Sequence, residues 1–239
     1  MNGPLVSLII PVYNGDRFLT ETLESVFNQD YQPFEVIVVD DGSTDRTAEI
    51  VRSFEEARYI YQPNQGHAIA KNTGIAAAGG EFIAFLDADD LWTPNKLSAQ
   101  VGLLLTNPEA GYAIAMQRYF FEPGTELPKG MNRDLLSKDQ LAYVPSALLV
   151  CRSVFDEVGV FDPAFRHGND TDWHFRAKEA GIPMATAHEV LLLRRFHDSN
   201  LSHDTRGMKD EMMKILKASL DRKRKRETVN SSEVKSDDR

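Results

Sequence analysis

A parallel, doubly wound α/β sheet is the fold that the first 105 residues predict. Three observations predict it. Apolar, β-rich runs alternate with helical stripes four times before residue 106. The runs at residues 34–39 and 82–86 are apolar over most of their length, as in strands covered by helices on both faces. Each run stops abruptly in polar or turn-forming residues, so the polar clusters fall at strand ends.

The elements justify themselves in order. Residues 6–12 form an apolar run checked by Pro11. Residues 17–28 place Phe18, Leu19, Leu23, Val26 and Phe27 on one helical stripe. Residues 34–39 make the second strand, and Ser43-Thr-Asp45 reads as a cap for a helix over 46–57. Residues 58–61 are a short third strand. Residues 66–78 are alanine-rich and helical, stopped by Gly79-Gly80. The strand at 82–86 precedes a helix over 94–105 with proline in its first turn. Beyond Ala110 the alternation weakens. Residues 111–121 read as a strand and 122–143 as an irregular binding loop or lid. A strand at 147–152 and a short helix at 153–158 follow. A helix at 170–180 is capped by Asn169 or Asp170 and closed by Gly181. The expected organisation is one domain over residues 1–220, with halves 1–105 and 106–220, and a disordered charged tail over 221–239.

Composition narrows the function. The 239 residues carry a net charge of −9, which argues against a nucleic-acid binder. The single cysteine, Cys151, excludes an internal disulfide and fits a reducing, cytoplasmic setting. No apolar stretch approaches the roughly 20 residues that span a bilayer. The N-terminus lacks the basic region of a signal peptide. The run Arg222-Lys-Arg-Lys-Arg226 reads as a solvated tail, or as a weak peripheral contact with the anionic inner face of a membrane.

Four polar clusters follow strand ends: Pro11-Val-Tyr-Asn-Gly15, Asp40-Asp-Gly-Ser-Thr-Asp45, Gln62-Pro-Asn-Gln-Gly66 with Lys71 and Asn72, and Asp87-Ala-Asp89. In a parallel sheet these loops emerge on one edge and can line one crevice. Asp-x-Asp offers two hard oxygen ligands suited to Mg²⁺ or Mn²⁺ carrying a phosphorylated substrate. An acidic helix N-terminus before Trp92-Thr-Pro is the other reading of the same residues. A carboxylate such as Asp41 suits the nucleoside end of a nucleotide, since it can accept from a base N–H or a ribose hydroxyl.

Taken together, Ser7-Leu-Ile-Ile-Pro-Val-Tyr-Asn-Gly15, Val38-Val-Asp-Asp-Gly-Ser-Thr-Asp45, Lys71-Asn-Thr-Gly74 and Phe85-Leu-Asp-Ala-Asp-Asp90 resemble family 2 of the nucleotide-sugar glycosyltransferases, inverting enzymes of the GT-A fold. The resemblance covers nearly all of residues 5–203. It implies a Rossmann-like, mostly parallel sheet with an acceptor-side second half. It implies Mn²⁺ or Mg²⁺, a nucleoside diphosphate sugar donor, by family habit a UDP-sugar, and a sugar or lipid-linked acceptor. Pro11, Tyr13 and Asp41 would contact the base, with Asp40 in support. Val12, Asn14, Gln65, Gly66, Lys71, Asn72 and Ala88 would line the donor site. Asp87 and Asp89 would be the Asp-x-Asp pair, with Asp89 the direct ligand. Gly168-Asn-Asp-Thr-Asp-Trp-His-Phe-Arg176 resembles the segment that carries the catalytic base, which falls on Asp170, with Asp172 in reserve. Asn169 stands where the family usually has Glu. Leu193-Arg-Arg-Phe-His197 resembles a later loop, in which His197 would bind the metal or diphosphate and Arg195 would neutralise the leaving group. A non-catalytic nucleotide-sugar-binding protein and a nucleotidyltransferase of similar fold are the rival readings. The latter usually has a Gly-rich, basic loop after strand one, which Pro11–Gly15 lacks.

Overall fold

A computed structural model of the protein describes residues 3–127, 132–198 and 205–234. Strands β1 (Val6–Val12), β2 (Phe34–Asp40), β3 (Ala57–Tyr61) and β4 (Phe82–Phe85) pair in parallel in the order β3-β2-β1-β4. Between them run α1 (Leu19–Phe27), α2 (Thr47–Arg52) and α3 (His67–Ala77). The register sets Val12 opposite Asp40 and Asp40 opposite Tyr61, so the loops that follow leave from one edge.

The same sheet continues through the second half. β4 joins β8 (Leu149–Cys151), then β6 (Tyr112–Phe121), β9 (Met184–Phe196) and the two-residue β5 (Leu91–Trp92), with β7 (Gln140–Ala142) on β6. The joints at β8 are short and antiparallel, whereas β6 and β9 pair in parallel from Tyr112↔Met184 to Phe121↔Phe196. The remaining helices are α4 (Lys96–Thr106), α5 (Arg133–Leu136), α6 (Arg152–Val158), α7 (Asn169–Glu179) and α8 (Thr205–Val234), and a 3₁₀ turn spans Pro145–Ala147.

Strand alternation sends side chains to two cores. Leu8, Ile10, Val36 and Val38 pack with Leu19, Leu23, Leu97 and Val101 from α1 and α4. Ile9, Ile37, Val39, Ile83 and Phe85 pack with Ala68, Ala70, Phe155, Phe161 and Trp173 from the opposite side. The sheet is thus covered on both faces, as its apolar runs predict. Gly74 lets α3 lie close: a Cβ there would fall 2.3 Å from Ile9 Cγ2.

Four expectations change. The segment 122–143 is not wholly irregular, since it contains α5 and β7. Residues 193–196, read as a loop, are the end of β9. The expected disordered tail from Asp221 instead continues α8 to Val234. Its composition favours solvent, but Ile215 is fully buried and Arg222 pairs with Glu179 and Asp172, so tertiary packing holds the helix. Finally, α7 begins after Gly168, with no side-chain cap from Asn169 or Asp170. Glu211 of α8 accepts the backbone N–H groups of Arg166, His167 and Gly168 at 3.0, 2.7 and 3.0 Å, and so supports that helix end from outside. Among the described residues no helix is long and apolar enough to cross a membrane.

Candidate active site

The strand-end loops bound a cleft of about 1200 Å³. Its first wall is the loop after β1. Asn14, at φ 52°, lies in the left-handed region that Asn tolerates. The loop is stitched to the next one: Asn14 N–H donates to Ser43 Oγ (2.8 Å), Gly15 N–H to Thr47 Oγ1 (2.9 Å) and Asp16 N–H to Asp45 Oδ2 (2.9 Å), while Asn14 Oδ1 accepts from Thr44 N–H (2.8 Å). Asp40 is buried behind this wall, accepting from Ser43 N–H (2.8 Å) and Tyr59 O–H (2.6 Å). Burial, with the Asp40 hydrogen bond, pushes the Tyr59 hydroxyl up to about 12, so it stays a donor.

Asp41 reaches the cleft but is heavily engaged. Its Oδ1 accepts from Gln62 Nε2 (2.7 Å) and Gln65 N–H (2.9 Å), and its Oδ2 from Gly66 N–H (2.8 Å). A carboxylate has about four acceptor sites. Three are used to shape the loop ahead of α3, where Gly66 takes a φ of 91°.

The acidic floor follows β4. Asp87 N–H donates to Ser146 Oγ (3.1 Å), and His67 Nε2 stands 3.2 Å from Asp87 Oδ1. Burial alone would raise the Asp87 carboxyl, but His67, Lys71 and Arg194 outweigh it and hold it well below the usual range. Asp90 lies deeper, accepting Arg195 N–H at 2.9 Å, and burial with Asp89 alongside pushes it well up. Asp89 Oδ2 and His197 Nε2 meet at 2.9 Å, 108 positions apart in sequence. Carboxylate oxygen and imidazole nitrogen suit Mn²⁺ or Mg²⁺ with a diphosphate completing the shell. Asp87 lines the same cleft, with its Oδ1 engaged by His67, and offers a second carboxylate. Among the described residues no group of three such side chains is placed to hold a metal ion.

The far wall belongs to the second half: Pro163, Phe165, Arg166, Arg194 and His197. Burial disfavours the Arg194 charge, but Tyr119, Asp90, Asp87 and Asp170 around it raise its proton affinity. Its Nη1 donates to Tyr119 Oη at 2.9 Å. Behind this wall Lys71 is fully buried, donating to Asn169 Oδ1 at 2.5 Å with its Nζ 4.0 Å from the Phe161 ring centre. Burial lowers it to about 8, against the pull of Asp170 and Asp87.

The glycosyl transferase family 2 profile matches residues 7–159. The chain belongs to that family. An uncharacterized glycosyltransferase of Rickettsia typhi is 32% identical over 239 residues, covering 95% of this chain and 75% of the relative. The Escherichia coli UDP-Glc:alpha-D-GlcNAc-diphosphoundecaprenol beta-1,3-glucosyltransferase WfgD is 41% identical over 110 residues, 45% of this chain and 44% of that protein. Among solved structures, Staphylococcus aureus TarS 1–349 with UDP-GlcNAc aligns at TM-score 0.67 and 20% identity, over 86% of this chain and 61% of that one. A mannosyltransferase of Pyrobaculum calidifontis with GDP-Man and Mn²⁺ aligns at 0.64 and 22%, over 81% and 57%. The chain thus spans about three-fifths of the solved structures it resembles, and the fold is the expected GT-A fold.

Within this family 2 chain the cleft gathers Pro11, Val12, Tyr13, Asn14, Asp41, Gln65, Gly66, Asp87, Ala88, Asp89 and His197, eleven of the residues singled out in the sequence. Others serve behind it. Asn72 clamps the Phe161 backbone, donating from Nδ2 (2.8 Å) and accepting at Oδ1 (3.0 Å), and with Lys71 it joins α3 to the second half instead of lining the donor cleft. Arg195 also departs from expectation. Its guanidinium is buried between Glu122 Oε1 (2.5 Å) and Glu21 Oε2 (2.6 Å), with Nε on the Asp89 carbonyl (2.9 Å). Neighbours on a strand face opposite ways, so Arg194 takes the cleft and Arg195 the support. Asp170 sits at the start of α7, half-buried, close enough to Lys71 and Arg194 to act on both charges. Asp172 is buried and paired with Arg176 (2.7 Å) and Arg222 (3.1 Å), which makes it a tie between α7 and α8. Sequence reasoning singled out none of Arg194, Arg166 and His67, which all line the cleft.

Proposed function

We propose that this protein is an inverting, metal-dependent glycosyltransferase that moves a sugar from a nucleoside diphosphate sugar to an acceptor hydroxyl. The observation that carries the reading is the Asp89–His197 contact of 2.9 Å on the cleft floor, with Asp87 and Arg194 beside it. A cation bound there would offset negative charge on the departing diphosphate. Asp89, His197 and Asp87 would hold it, and Arg194 would face the same charge from the other wall. The loops around Asp41 would receive the nucleoside. Asp170 would take the proton from the acceptor hydroxyl as its oxygen bonds to the anomeric carbon and the bond to diphosphate breaks. A single carboxylate base with attack opposite the leaving group gives inversion.

Uridine is the favoured nucleoside. A UDP-GlcNAc complex aligns over 86% of the chain, and the Escherichia coli relative is named for UDP-Glc. That relative's name also supports a lipid-linked sugar as acceptor. The test is a screen of nucleotide sugars for metal-dependent release of nucleoside diphosphate. One UDP-sugar should release UDP with Mn²⁺ and not with a chelator, and Asp89→Asn should lose the metal-dependent part of nucleotide binding while melting normally. Metal-independent binding without release from any donor would support the non-catalytic reading instead.

A further inference from the structure

α8 presents two faces that call for different partners. The face carrying Glu211, Ile215, Ser219 and Arg222 is docked: Ile215 is buried beside Gly168, Ser219 Oγ donates to Glu179 Oε1 at 2.6 Å, and Arg222 pairs with Glu179 and Asp172. Beside it runs an apolar stripe at every fourth residue, Met208, Met212, Leu216 and Leu220, with Met213 at its edge. Their exposures are 43, 41, 40, 57 and 68%. Elsewhere among the described residues, large exposed apolar side chains are spread thinly over several elements, so this concentration on one helix is unusual.

Charge identifies what covers the stripe. Residues 205–226 hold nine Lys or Arg against three Asp or Glu, a net of +6 in a chain whose total is −9. Lys209, Lys223, Arg224 and Lys225 are exposed. Long basic side chains beside an apolar stripe can reach outward to headgroups while their stems stay on apolar surface. A second copy of α8 would set +6 against +6, which disfavours self-association through this face.

We propose that α8 is an interfacial helix that seats this protein on a bilayer containing anionic lipid, with the Met/Leu stripe in the headgroup–acyl boundary and the exposed Lys223, Arg224 and Lys225 against lipid phosphates. Because Glu211 holds the backbone leading into α7, the bound membrane would lie on the side of the molecule that carries Asp170. That last consequence rests on the transferase reading, whereas the lipid contact does not.

Flotation of the full chain with phosphatidylcholine vesicles, with and without phosphatidylglycerol, tests it in the absence of any sugar donor. Binding is expected only with the anionic lipid, and it should weaken as salt rises. Met213→Glu and Leu216→Glu, at exposed positions, should each lower partitioning by about ten-fold or more. Lys223→Ala and Lys225→Ala should lower it by roughly five-fold each. Thermal melting and nucleotide calorimetry should stay unchanged in all four, which separates failure of lipid binding from failure of the fold or the donor site. No wild-type binding, equal binding to neutral vesicles, or wild-type binding by the variants would overturn the proposal. So would sedimentation showing a dimer that Met213→Glu breaks.

Discussion

Residues 5–105 bring their polar groups to the cleft from the ends of four adjacent parallel strands. Residues 106–220 bring theirs from the end of β9 and the residue after it, Arg194 and His197, and from the loop ahead of α7, Arg166. The first wall is held redundantly. Four hydrogen bonds join the loop after β1 to the loop after β2, and three more converge on Asp41. The second wall is held by partners far away in sequence: Glu211 accepts three backbone N–H groups ahead of α7, Asn72 clamps Phe161 twice, and Lys71 meets Asn169. A redundant wall suits a donor common to many relatives. A wall held by partners distant in sequence can be moved by substitutions far from the cleft, which under the proposed transfer would suit an acceptor side.

The largest expected effect lies behind the second wall. Asp170→Asn keeps the side chain's shape but cannot take a proton, so turnover should fall by about 10²–10⁴-fold with donor affinity unchanged. Equal loss of donor binding by calorimetry would place Asp170 in the donor site and erase the contrast. Asp172→Asn is the matched control for a different property. It loosens the Arg176 and Arg222 pairs, so it should lower the melting temperature more than the turnover.

The pair Arg194 and Arg195 sharpens the comparison next. Arg194→Gln should cost roughly 10²–10³-fold in kcat, the usual worth of one group aimed at developing charge. Its melting temperature should move less than that of Arg195→Gln. Arg195→Gln leaves the Asp89 carbonyl without its cation and Glu122 with only the longer Arg17 pair at 3.8 Å, and should cost about 2 kcal/mol of stability, discounted because Glu21 is more than half exposed. Steady-state kinetics and melting curves on both variants check this. The opposite pattern would mean that the two side chains exchange faces when substrate binds.

These two arginines also show where the sequence is readable. The loops after β1 to β4 can be read because each buried strand spells its own apolar run and each polar cluster follows at once. Nothing distant is needed to align Val12 with Asp40. β9 cannot be read that way. It mixes exposed His188 and Glu189 with buried Leu191 and Leu192, because only part of its length is covered. Without a strand there is no parity, and without parity Arg194 and Arg195 look equivalent. Lys71 escaped for the same reason. In an alanine-rich helix it reads as solvent- or substrate-facing, and its burial depends on Asn169, 98 positions away. α8 was misjudged because composition reports its solvent face, whereas Ile215 and Arg222 decide its fate.

On the first wall the expected effect is smaller. Asp41→Ala removes the acceptor of three hydrogen bonds that form the loop ahead of Gly66. Donor binding should weaken by roughly 1–3 kcal/mol, with kcat for bound substrate little changed. Calorimetry showing the wild-type affinity would mean that the other stitches hold the loop unaided, and that the first wall does not depend on Asp41.

The smallest effect concerns Asn169, the departure from the family's usual residue beside Asp170, the proposed base. Lys71 is buried with a neutral partner, and burial lowers it to about 8 from an ordinary value of 10.5. The folded protein therefore holds fewer protons than the unfolded chain between those two pH values. By linkage, the Lys71 contribution to stability rises with pH through that window, and its cost is fully present below about 8. Asn169→Glu gives the ammonium an anionic partner, which favours the charged form and moves Lys71 upward. NMR titration of ¹³C-labelled lysine should show one resonance near pH 8 in the wild type and a clear upward shift in the variant. The variant should also lose the wild type's rise in melting temperature from neutral to alkaline pH. An unshifted Lys71 would show that burial, not the neutral partner, sets its charge. The second wall would then tolerate either residue at 169 without electrostatic consequence for Asp170.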